Sequence, residues 1–118
     1  MKKFEEGFLF FSATAAHQTE GNNIHSDYWL MENMKYTEFS EKSGLAVDHY
    51  NRYKEDIDIL KNAGLNAYRF SIEWARIEPE EGVFDEKEVE HYRDVLSYIH
   101  EKCITPVVTL MHFTSPSW

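Results

Sequence analysis

Two rhythms of apolar residues alternate along this chain, unbroken runs and helical repeats. From Phe8 to Gln18 the sequence stays apolar or small, bounded by Gly7 and Gly21, which is how a strand buried on both faces reads. Leu65 to Ile72 alternates instead, with Tyr68, Phe70 and Ile72 on one face and Ala67, Arg69 and Ser71 on the other. Thr105 to Met111 is a third strand, with Pro106 near its start, where proline is tolerated.

Helical spacing fills the gaps. Asp48 reads as an N-cap, Tyr50, Tyr53, Ile57 and Leu60 recur at helical intervals, and Gly64 stands where a helix end takes a left-handed residue. Glu78-Pro79-Glu80-Glu81-Gly82 is turn chemistry. Asp85, three residues ahead of Glu88, then caps a second helix whose Val89, Tyr92, Leu96 and Ile99 form one stripe, ending near Lys102. Thr19 to Val47 is a 29-residue connection with a weak helical signal from Tyr28 to Met34. So long a loop in a compact domain is usually functional, and it reads as the wall of a site.

The order β, long loop, α, β, loop, α, β predicts an α/β fold with a parallel sheet. No GxGxxG and no GxxxxGK[ST] occurs, so an eight-stranded (β/α)8 TIM barrel is preferred to a doubly wound nucleotide-binding sheet. In such a barrel chemistry sits at the C-terminal ends of the strands. Gln18, Arg69 and His112 fall at or near such ends. A whole barrel takes ~250 residues, whereas residues 1–118 supply three strands, so the chain is expected to be the N-terminal part of one barrel domain or to self-associate.

Charge and composition narrow the partners. With 42% hydrophobic and 28% charged residues the chain is ordinary globular material. Its 21 acidic and 12 basic residues give a net charge of −9, which repels nucleic acid and anionic membranes. No apolar stretch approaches the ~20 residues of a membrane span. Lys2, Lys3 and the following apolar run imitate a secretory signal, but Glu5 and Glu6 interrupt the imitation, and a buried strand is the expectation. Cys103 is the lone cysteine, so no internal disulfide forms and a cytoplasmic location is expected. Six histidines without HExxH or CxxC spacing predict no metal.

The segments FLFFSATAAHQTEG, DHYNRYKEDIDILKNAGLNAYRFSIEWARIEPEEG and ITPVVTLMHFTSPSW resemble the first three strand segments of family 1 glycoside hydrolases, the retaining β-glucosidases and β-galactosidases on a (β/α)8 barrel. The likeness covers nearly the whole chain. It implies a β-glycoside or oligosaccharide substrate, the remainder of the barrel as partner, and no cofactor. It also implies that Gln18 and His112 bond neighbouring sugar hydroxyls and that Arg69 keeps a nucleophilic glutamate ionised by its charge. Phe113 stands where the family commonly has tryptophan, keeping a stacking or packing role.

Phe10 and Phe11 replace a frequent Trp-Gly, and Cys103 replaces a glycine after the second helix, where left-handed backbone would cost about 1 kcal/mol. The family's acid/base glutamate, in Asn-Glu-Pro, and its nucleophile, in Glu-Asn-Gly, do not occur in these residues. Retaining hydrolysis needs two carboxyl groups ~5–5.5 Å apart, so the chain alone is expected to be inactive. Glu20 and Glu73 are read as structural rather than as a substitute pair: Glu20 holding the first loop and Glu73 pairing with an arginine such as Arg76. Trp118 is read equally as a packing aromatic or a site residue.

Overall fold

A computed structural model describes residues 3–118; Lys2, half of the basic start, lies outside the described residues. Three strands, β1 (Phe11–Ala13), β2 (Ala67–Ser71) and β3 (Thr105–Thr109), form one parallel sheet in the order β1-β2-β3. Ala67 pairs with Phe11 on one side and Thr105 on the other, so β2 is the centre of the arc. The two predicted helices are α3 (His49–Asn62) and α5 (Glu86–Glu101). Three short ones join them, α1 (Ala16–Thr19), α2 (Asp27–Glu32) and α4 (Trp74–Ile77). Among the described residues no helix is long and apolar enough to cross a membrane.

The core lies between the sheet and the two long helices. Ile57 of α3, Tyr68 and Phe70 of β2, Tyr92, Val95 and Ile99 of α5, and Ile104 pack together, with Ile72 against them. The alternation read in β2 therefore faces its large residues inward. Ile57 and Ile99 are fully buried, and such burial stabilises by about 1.5–3 kcal/mol per side chain.

The first and third strands depart from the fully buried reading. β1 keeps only three residues, and Phe11 is 57% exposed. Val107 and Val108 of β3 and Leu110 beyond it are exposed too. Both are edge strands with one neighbour each, so the surfaces that a closed barrel would cover stand open. Beyond Ala13 the extended run does not continue. The Ser71 hydroxyl accepts the Ala16 N–H at 2.7 Å and Thr19 Oγ1 donates back to the Ala15 carbonyl at 3.0 Å, winding the chain into α1.

Asp48 is a second correction, because its backbone is left-handed (φ 56°) and its side chain caps no N–H. Its Oδ1 accepts from Asn51 Nδ2 instead. At this helix start the Tyr50 N–H reaches the Glu20 carbonyl at 3.4 Å. Asp85 does cap α5, accepting from the Lys87 N–H at 2.9 Å. Both long helices end in the same motif: the Leu65 N–H returns to Leu60 O after α3, and the Ile104 N–H to Ile99 O after α5. The left-handed residue is Gly64 in one (φ 84°) and Cys103 in the other (φ 54°).

Candidate functional site

The C-terminal edge of the sheet gathers the predicted side chains in two touching groups. Arg69, in the middle of β2, reaches across to β3: its Nε–H donates to Thr109 Oγ1 at 3.1 Å and an Nη2–H to His112 Nδ1 at 3.1 Å. Guanidinium has no acceptor, so His112 Nδ1 carries the lone pair and Nε2 the proton. That leaves His112 a donor for a ligand oxygen. His112 meets the Phe113 ring edge to face, centroids 4.5 Å apart. Phe113 itself has a left-handed backbone, φ 70°, and is exposed.

Phe113 and Gln18 line one hollow of about 560 Å³, walled by Tyr28 and Phe39 and floored by the buried pair His17 and Glu32. His112 does not line it but sits next to Phe113, between the hollow and Arg69. Gln18 is exposed, and its place is the turn of α1 rather than a strand end. The structure thus links all four predicted residues, Gln18 and Phe113 through the hollow and Phe113 to Arg69 through His112.

The long connection supplies the wall, as its length suggested. Glu32, 2% exposed, accepts from the Ser43 N–H at 3.0 Å and Ser43 Oγ at 2.5 Å, and stands 3.6 Å from His17 Nε2. His17 packs edge-on to Tyr28, which packs edge-on to Phe39. Sequence reasoning missed Glu32 and Ser43. The signal available was a carboxylate on the inner side of a weakly amphipathic stretch, next to the serine-rich residues that complete it.

Behind the hollow lies a buried polar knot. Arg76 of α4 donates to Glu20 Oε2 at 3.1 Å, Asn23 Oδ1 at 2.7 Å and the Gly21 carbonyl at 2.5 Å, with its guanidinium over the Tyr50 ring. Glu73 accepts from Thr114 Oγ1 at 2.9 Å and Asn23 Nδ2 at 3.1 Å. The Tyr92 hydroxyl donates to Glu20 at 2.7 Å while accepting the Glu73 N–H. Both carboxylates are held in hydrogen-bond networks, but the arginine pairs with Glu20, not with Glu73 as expected. Glu73 cannot turn outward because its carboxylate is already spanned by the first loop and the segment after β3.

Burial pushes Glu20 up to about 7, against the pull of Arg76 and the Tyr92 hydroxyl. Glu73 is raised for the same reason. His91, stacked on Tyr50 at 3.9 Å, is pushed down to about 4 by burial and then by Arg76. Trp118 is half exposed; its indole N–H donates to the Glu78 carbonyl at 2.9 Å and its ring meets Trp74 edge to face.

A parallel strand-helix arc with donor and acceptor side chains near its carboxyl edge matches part of a (β/α)8 barrel. The chain belongs to glycosyl hydrolase family 1, whose family model matches residues 1–118. It is 42% identical to a 1,4-beta-D-glucan glucohydrolase of Thermotoga neapolitana over 98% of its own length and 29% of the relative's. Identity to beta-glucosidase A of Thermotoga maritima is also 42%, over 98% of this chain and 28% of that one. Among solved structures, a beta-glycosidase from Pyrococcus horikoshii superposes with a TM-score of 0.92 at 46% identity, covering 98% of this chain and 27% of that chain. The beta-glycosidase BGL167 gives 0.94 at 54% identity, covering 96% and 27%. These neighbours are TIM barrels, and the chain spans less than a third of their length.

Proposed function

We propose that this chain is the glycone-gripping portion of a retaining β-glycosidase acting on β-glucosides or related β-glycosides. The observation that carries it is the run of contacts from Arg69 through His112 to Phe113, which shares one hollow with Gln18. In this reading the exposed Gln18 amide bonds one hydroxyl as donor or acceptor, and His112 donates Nε2–H to its neighbour. Phe113 offers an apolar face to the ring. Arg69, held by Thr109 and His112, keeps an approaching carboxylate charged and therefore nucleophilic.

Neither Asn-Glu-Pro nor Glu-Asn-Gly occurs in the 118 residues, so bond cleavage is assigned to carboxyl groups of the remaining barrel. The same observation favours a second reading, a catalytically inactive sugar-binding or assembly module. No cofactor enters either reading, and the cytoplasm is the proposed location. The deciding measurement is turnover of an aryl β-glucoside by the full-length protein and its Gln18→Ala and His112→Ala variants. Each should lose roughly tenfold or more in kcat/KM, the value of a hydrogen bond or two. Unchanged kinetics in both variants would remove the glycone role, and no turnover by the parent would leave the binding-module reading.

A further inference from the structure

Four side chains, two of α3, one of β2 and one just past β1, form an unbroken hydrogen-bond line. His49 Nδ1 lies 2.6 Å from Asp56 Oδ2, one α3 side chain against another. His49 Nε2 lies 3.3 Å from the Tyr68 hydroxyl of β2, and that hydroxyl lies 2.7 Å from Thr14 Oγ1, just past β1. His49 and Tyr68 are buried, while Asp56 is partly open to solvent.

Chemistry gives the line a direction. An ionised Asp56 only accepts, so His49 Nδ1 carries the proton. In the neutral ring Nε2 then offers a lone pair, so the Tyr68 hydroxyl spends its single proton on His49. Thr14 must in turn donate to Tyr68. With a neutral His49 ring the line has one consistent sense: Thr14 to Tyr68 to His49 to Asp56.

The far end of this line sits where it can matter. Thr14 N–H donates to the Arg69 carbonyl at 3.0 Å, and the next residue, Ala15, is the extended N-cap of α1. Gln18 N–H closes back on Ala15 O at 3.0 Å. Thr14 is thus tied to β2 twice, by its backbone to Arg69 and by its hydroxyl to Tyr68, immediately before the turn that carries Gln18.

We propose that Asp56, His49, Tyr68 and Thr14 are positioning residues that fix the α1 turn, and through it the aim of Gln18. The proposal rests on Gln18 serving the sugar site, and it adds a control from α3. Asp56→Asn is its sharpest probe, since the amide keeps the shape but can donate to His49 Nδ1, which lets the proton move to Nε2 and every bond in the line reverse.

The test uses the full-length protein with ¹⁵N-labelled histidine and backbone. The parent should show His49 as the Nδ1–H tautomer. Asp56→Asn should shift it toward Nε2–H, move the amide resonances of residues 15–19, and weaken binding of phenyl 1-thio-β-D-glucoside about tenfold. Asp56→Glu, which keeps a carboxylate, should restore tautomer and affinity. An Nε2–H tautomer in the parent, or unmoved amides at 15–19 in Asp56→Asn, overturns the relay. Gln18→Ala separates the two readings: if it leaves thioglucoside binding intact while the Asp56→Asn amides still move, the sugar role of Gln18 fails and the relay stands. If Gln18→Ala abolishes binding while Asp56→Asn leaves affinity unchanged, the relay does not aim Gln18.

Discussion

Arg69 and His112 are 43 positions apart in sequence and 3.1 Å apart in space, and the contact fixes which nitrogen of the imidazole is free to donate. Lysine cannot copy this, since a single ammonium does not present the rigid fork that reaches Thr109 and His112 together. Arg69→Lys in the full-length protein is expected to weaken thioglucoside binding about tenfold. Titration calorimetry measures it, and a change of less than twofold would detach His112 from the arginine's control.

Arg76→Met should cost about 3 kcal/mol of stability, because Glu20 Oε2, Asn23 Oδ1 and the Gly21 carbonyl each lose a donor at about 1 kcal/mol apiece. Denaturant unfolding of variant and parent gives the number directly. A loss under about 1 kcal/mol would mean that water replaces the guanidinium freely.

Buried Glu20 and half-buried His91 pull the pH dependence in opposite senses. Glu20, raised from 4.5 to about 7, holds its proton more tightly when folded, so it makes stability fall as pH rises across that interval. His91, lowered from 6.5 to about 4, holds its proton less tightly when folded, so it makes stability rise between those values. Glu20→Gln removes the first effect alone. Relative to the parent, the variant should gain stability steadily from about pH 4.5 to pH 7, followed by thermal melts. A gap independent of pH would place the Glu20 carboxyl at its ordinary affinity.

Cys103 occupies in the α5 terminus the position that Gly64 holds after α3. Its side chain is exposed, so little packing is lost on removal. Cys103→Gly should stabilise the chain by up to about 1 kcal/mol, since glycine adopts positive φ without Cβ strain. Chemical denaturation midpoints decide the matter, and a destabilised glycine variant would show that the thiol makes compensating contacts.

The two long helices and the strand order were legible because their signals are local: Ile57 and Leu60 repeat with the helix, and Tyr68 and Phe70 alternate with the strand. What sequence could not give was set by partners distant along the chain. The end of β1 depends on Ser71 capturing the Ala16 N–H, 55 residues away. Asp48 looked like a cap on composition, but the Glu20 carbonyl bonds the Tyr50 N–H at that helix start. Arg76 lies closer in sequence to Glu73 than to Glu20, and proximity along the chain misassigned its partner. Gln18, Arg69 and His112 were legible from their places near strand ends and Phe113 from the resemblance, but the hollow that Gln18 shares with Phe113 is built by the long connection.

Asp27 exchanges backbone and side-chain hydrogen bonds with Ser115, 88 residues further on, and Ser117 likewise reaches back to His25. Contacts of such high sequence separation must wait until a long loop has closed, and closure entropy opposes them until neighbouring elements are docked. The segment from His25 to Asp27 is therefore expected to dock late and to open early. Amides such as Asp27 and Ser115 should exchange with deuterated solvent far sooner than those of β2.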